Sequence, residues 1–182
     1  MNRIAIIYGA ISGTIAIGVI IIGALAKNAG SHDSAAFGYL IMVIALTMIF
    51  IGVKSYRDRN LGGVIRFGPA MALGAMIAAV AGLFYVAGWE GYLAATGNRF
   101  IEEYAAGVIE AKKAAGVAGE ALQSEIAKME AMKANYANPF FRVPMTFLEI
   151  FPVGIVIALM SAAILRNPKA FPARAPAASR RN

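Results

Sequence analysis

One acidic side chain interrupts a run that is otherwise free of charge: Glu149, within residues 143–165. It lies six residues into that run, about 9 Å from the outer end at the helical rise. A carboxylate in lipid costs about 3 kcal/mol, and such groups usually turn to the bundle interior and find partners. There it could carry a proton, bind a cation or, when neutral, donate a hydrogen bond. Pro152 follows three residues later. It has no N–H, so the carbonyl of Leu148 loses its helical donor and the helix is expected to bend beside the acid. Glu90, next to Trp89, is the second ion or proton candidate. Its expected depth brings it towards Glu149, and two close carboxylates suit proton or cation handling. The structural alternatives are a Glu149 hydrogen-bonded to Tyr, Trp or Thr across helix contacts, and a Glu90 turned to water.

Other chemistry is poorly provided for. The chain has no cysteine and one histidine, which excludes disulfides, thiolate zinc sites and multi-histidine metal sites. His32 beside Asp33 is a candidate pH sensor only in the weak sense that any exposed histidine is. There is no Gly-rich phosphate loop, no Ser-His-Asp arrangement and no His-Glu zinc helix. No catalytic residue, metal or cofactor is nominated. Two small-residue series are expected to pack helices closely: Gly9 and Gly13, with Ser12 and Ala16, and Gly74 with Ala78 and Gly82.

These residues must be held by elements that the composition already defines. The chain has 182 residues, 59% hydrophobic and 15% charged, where soluble domains carry about 25% charged residues. A water-soluble globule of this size could not hide so much apolar surface. Residues 4–26, 34–53, 67–89 and 143–165 are four runs of at least 20 residues that carry no charge apart from Glu149. A bilayer core needs ~20 apolar residues per helix, and the backbone there must satisfy its own hydrogen bonds. Four transmembrane helices are expected. The first run ends in Ala24-Leu25-Ala26, like a signal-peptide cleavage site, but it exceeds the roughly 7–15 residues of a signal core, so a retained helix is expected.

Charge placement orients the bundle. Lys54, Arg57, Arg59 and Arg66 fill the second connection, and Arg166, Lys169, Arg174, Arg180 and Arg181 follow the last run, whereas the first connection has only Lys27. Positive charge collects on the cytoplasmic side, so both termini are expected there. The net charge of +7 therefore reads as topology, or as a hold on anionic lipid headgroups, and not as nucleic-acid binding. Tyr39, Tyr85, Trp89, Tyr92, Phe140 and Phe141 fall at the expected outer rim, and Tyr8, Phe50, Tyr56 and Phe67 near the inner one.

Between runs three and four lies a block with apolar faces at helical spacing: Phe100, Ile101, Tyr104, Val108 and Ile109, then Leu122, Ile126, Met129 and Tyr136. Gly116 and Gly119 break the two periods, and Asn138-Pro139 ends the second. The expected organisation is 1–97, three transmembrane helices; 98–138, an extracytoplasmic helical hairpin; 139–166, the fourth transmembrane helix; and 167–182, a disordered basic tail. The fold class is an all-α membrane protein.

Three strings carry a resemblance: Gly52-Val53-Lys54-Ser55-Tyr56-Arg57-Asp58, Gly62-Gly63-Val64-Ile65-Arg66-Phe67-Gly68, and Phe147-Leu148-Glu149-Ile150-Phe151-Pro152-Val153-Gly154. With the hydropathy layout, they make residues 4–166 resemble the bacterial membrane family called "domain of unknown function 4199". The resemblance implies a multi-pass inner-membrane protein and brings no activity, substrate or catalytic residue.

Two roles are expected from these features. In the first, the bundle anchors an interaction module whose outer hairpin binds a membrane-protein partner or dimerises. In the second, Glu149, with or without Glu90, serves a small transporter or channel component, which with four spans would need a homo-oligomer. The lipid bilayer is a partner in both.

Overall fold

A computed structural model describes residues 1–25, 35–97 and 99–173. Lys27, His32 and Asp33, the basic residues Arg174, Arg180 and Arg181, and the side chain of Tyr39 lie outside the described residues. The described chain is all helical: α1 Asn2–Leu25, α2 Ala35–Asn60, α3 Phe67–Ala95, α4 Arg99–Ala114, α5 Gly119–Ala137 and α6 Pro139–Leu165. Four of these, α1, α2, α3 and α6, are long and apolar enough to cross a membrane. The helices group into two compact units, Met1–Tyr85 with Leu148–Asn182, and Val86–Phe147. α3 and α6 contribute residues to each.

The first unit is built on stripes of small and branched residues at three- and four-residue steps, the spacing that keeps side chains on one helix face. Leu46, Ile49 and Val53 on α2, Ala70, Leu73, Ile77 and Ala81 on α3, and Ala158, Ala162 and Leu165 on α6 are all fully buried. α3 lies among the others. A Cβ on Gly9 would stand 2.6 Å from the Cβ of Val80, and one on Gly74 would stand 2.7 Å from the Cβ of Ala158. Gly154 approaches Ala78 as closely, and Gly52 sits against Ile77 and Tyr8. Gly82 is buried as well. Bare backbones let the helices approach where hydrocarbon gives no hydrophobic push. The Ser12 hydroxyl donates to the Ala45 carbonyl at 2.8 Å and ties α1 to α2. Together with Tyr8 against Gly52, this makes the two helices antiparallel, so Met1 and the end of α2 share one end of the unit.

In the second unit α4 and α5 run antiparallel. Lys133 pairs with Glu102 at 2.7 Å and Lys112 with Glu125 at 3.5 Å, early residues of one helix meeting late residues of the other. Glu102 and Glu130 hold the Lys133 ammonium above its ordinary range, and Lys128 and Lys112 hold the Glu125 carboxyl below its own. Gly116 closes α4 in the left-handed region, at φ +81°. There Val117 N–H reaches the Lys112 carbonyl and Gly116 N–H reaches the Lys113 carbonyl, both at 3.0 Å. That is the Schellman ending, which favours glycine at this residue. α6 starts at Pro139, whose missing N–H costs nothing in a first turn. The Asn138 side chain accepts from Phe140 N–H at 3.0 Å and caps it.

Candidate functional site

The charges that the sequence places at the ends of runs three and four meet in the second unit. Arg142, in the first turn of α6, meets Glu90 on α3 through both oxygens: Nε donates to Oε1 at 2.7 Å and Nη2 to Oε2 at 2.5 Å. Its third nitrogen, Nη1, donates to the Tyr136 carbonyl at 2.9 Å, and the guanidinium lies 5.6 Å from the centre of the Tyr136 ring. A planar fork facing a carboxylate is the strongest form of such a pair. Glu90 also offsets the cost of a cation at a helix N-terminus. The Tyr136 hydroxyl accepts from Trp89 Nε1 at 2.6 Å. Phe100 stands edge-on to Trp89, with 4.8 Å between ring centres, and Tyr92 stacks on Trp89 at 5.4 Å. An arginine, a carboxylate and a ring of aromatics thus tie the last turns of α3 to α5 and to the start of α6.

In this arrangement the Glu90 carboxylate is not turned to free water: a guanidinium holds both of its oxygens and joins α3 to α6. Replacing Glu90→Gln and Arg142→Met singly and together is expected to reveal a coupling of about 1–2 kcal/mol, read from unfolding of the purified protein in mixed micelles. Strictly additive effects would mean that the pair adds nothing.

Glu149 lies in the other unit. The expectation that it turns inward and finds a partner is met in part: the residue as a whole is exposed beside the fully buried Ile150, yet its carboxyl reaches a tyrosine of α3, the structural alternative. The buried face of α6 follows Ile150, Gly154, Ala158, Ala162 and Leu165, and one residue is about 100° of helix away. The buried Tyr85 hydroxyl hydrogen-bonds the Glu149 carboxyl. Pro152 is exposed too, and α6 is one continuous helix through it.

A second polar centre escaped the sequence reading. Arg57 is completely buried, on the same face of α2 as Leu46, Ile49 and Val53. Nε donates to Asp58 at 2.7 Å, Nη1 to the Ala170 carbonyl at 2.9 Å and to the Leu165 carbonyl at 3.4 Å, and Nη2 to the Phe171 carbonyl. Asp58 is shared with Lys54. Phe171, whose φ is 50°, packs edge-on against Phe50 with ring centres 5.3 Å apart. Arg57 thus closes the C-terminal end of α6, where helix carbonyls lack partners of their own. Of the stretch 167–182, residues 167–173 are described, and they form turns against this side chain.

The family model described as "Protein of unknown function (DUF4199)" matches residues 4–167. The chain belongs to the DUF4199 family. The match reaches both units and covers Arg57, Asp58 and the Glu90–Arg142 pair, while Ala170 and Phe171 lie beyond it. No curated protein matches the chain, and no solved structure does. Membership adds four apolar helices to a family of unknown function and names no reaction.

Proposed function

We propose that this DUF4199 protein is an interaction module of the bacterial inner membrane: its apolar helices anchor it, and α4 and α5 form an extracytoplasmic hairpin that binds a membrane-protein partner or a second copy. The observation that carries this reading is that α5 has no buried residue. Leu122, Ile126, Met129 and Tyr136 are only half-covered. Beside them opens an apolar groove of about 290 Å³, lined by Met132, Tyr136, Phe141 and Met145 among others. Phe140, at its edge in sequence, is 91% exposed. Helices of 16 and 19 residues are marginal alone in water and gain from a further surface to pack on.

The orientation rests on the basic residues. Met1, the second connection and the end of α6 share one end of the first unit through the contacts of Tyr8, Ser12 and Arg57. Lys54 and Arg59 in the last turns of α2, Arg66 before α3, and Arg166 and Lys169 after α6 gather there, which favours the cytoplasmic side for that end and for both termini.

Deleting residues 98–138 is the test. The deletion variant should still insert, and its particle in native membranes should lose more mass than the deleted residues account for. The second reading, a transporter or channel component, draws on Glu149, whose exposed position would require neighbouring subunits to enclose it. It predicts a mass loss equal to that of the deleted residues alone, and a cation or proton flux into vesicles that Glu149→Gln abolishes.

A further inference from the structure

Glu149 is the one charged residue in the four apolar runs. It stands on an exposed stripe of α6 with Leu148, Pro152, Val156, Leu159 and Met160. A surface this apolar suits lipid everywhere except at the carboxyl group. Lipid tails offer no hydrogen bonds. The single hydroxyl of Tyr85 can serve only one of the two carboxyl oxygens. The exposed stripes elsewhere in this unit, Ile6, Ile7, Ile11 and Ile15 on α1 and Val43, Ile44 and Ile51 on α2, carry no such group.

We propose that this stripe is where a second copy of the chain docks, with Glu149 of one copy facing Glu149 of the other across a two-fold axis along the membrane normal. Three considerations select a second copy. Its own carboxyl stands at the same depth by symmetry, and a two-fold contact brings like residues together. A carboxylic acid both donates and accepts, so two of them sharing a proton complement each other. The four runs contain no Lys or Arg, so they offer the acid no counter-ion, and a second carboxylic acid can serve the oxygen that Tyr85 leaves. Hydrogen-bonding side chains join helices in lipid by the same means. The proposal stands apart from whatever α4 and α5 bind.

The absence of cysteine makes single-cysteine variants clean reporters. Leu148→Cys and Val156→Cys, oxidised in native membranes, should yield a disulfide-linked pair of chains. Ile11→Cys and Ile44→Cys, on the exposed sides of α1 and α2, should not. In the Val156→Cys chain, Glu149→Leu should lower the dimer yield about three- to tenfold. Glu149→Gln, whose carboxamide also donates and accepts, should keep it, with equal amounts of each variant in the membrane. Equal cross-linking at all four positions overturns the proposal. So does a yield indifferent to Glu149→Leu, or a cross-link only to a chain of another size. Because these cross-links form on α6, they should survive deletion of 98–138, so failure here is distinct from failure of the interaction-module reading.

Discussion

Arg57→Met is expected to lower stability by about 3–5 kcal/mol, the cost of removing one partner from a buried ionic centre. Most of that comes from what is left behind. The Ala170 and Phe171 carbonyls lose their donor, Asp58 loses one of its two cations, and the last turn of α6 loses its closure. An acceptor left without its donor costs about 1–3 kcal/mol when buried, and less at the part-buried Ala170 and Phe171 carbonyls. Arg57→Lys should recover only part of the loss, because a point-like ammonium cannot reach three directions as a planar guanidinium does. Unfolding in mixed micelles gives the magnitude, and protease cleavage after Arg166 or Lys169 gives the location. If Arg57→Met unfolds like the parent and resists protease equally, Arg57 does not hold this end of the bundle.

Gly13→Leu should be the most damaging change in α1. A Cβ there would strike the backbone carbonyl oxygen of Ala81 and lie 2.7 Å from the Cβ of Phe84. Neither can swing aside, since one is backbone and the other is the root of its side chain. Forcing extra carbons into a packed contact costs about 1–3 kcal/mol and at times more, and here α1 must back away from α3 along its length. Gly18→Leu on the same helix is the control. Nothing lies within 4 Å of a Cβ at that position, and the substitution should be silent or slightly favourable, because leucine suits a helix better than glycine does. Folded yield from membranes and thermal unfolding of the purified variants separate the two. Equal behaviour would remove the close α1–α3 approach.

The elements were legible because lipid imposes a length and forbids charge, and both show in a single chain. The third and fourth apolar runs and the described residues of the first two fall within α3, α6, α1 and α2, and Gly116, Gly119 and Asn138 fall at the ends of α4 and α5. Partnerships were less legible. Arg142 reads as a boundary marker, and its carboxylate lies 52 residues away, so no local pattern links them. Their common expected depth was the available signal: an acid ending one run and a base opening the next belong to the same rim. α3 continues past Glu90 to Ala95, and the charge that ends the apolar run is held there by a guanidinium. Arg57 reads as one of several cytoplasmic cations, yet it continues the four-residue steps of Ile49 and Val53, and that register marks an inward-facing side chain. Glu149 was legible in part: chemistry suggests a partner across a helix contact, which Tyr85 supplies, whereas its register beside Ile150 leaves the residue exposed.

Arg57 also sets an order of events during synthesis. The carbonyls that will occupy its guanidinium belong to residues translated 108 to 114 positions later. At cellular elongation rates that is an interval of roughly 5–20 s. Throughout it the guanidinium has the Asp58 carboxylate beside it, but its two terminal nitrogens must find water or other acceptors. A ribosome that stops short of Phe171 therefore releases a chain in which Arg57 keeps its neighbouring acid and lacks the carbonyls that fasten it to the end of α6.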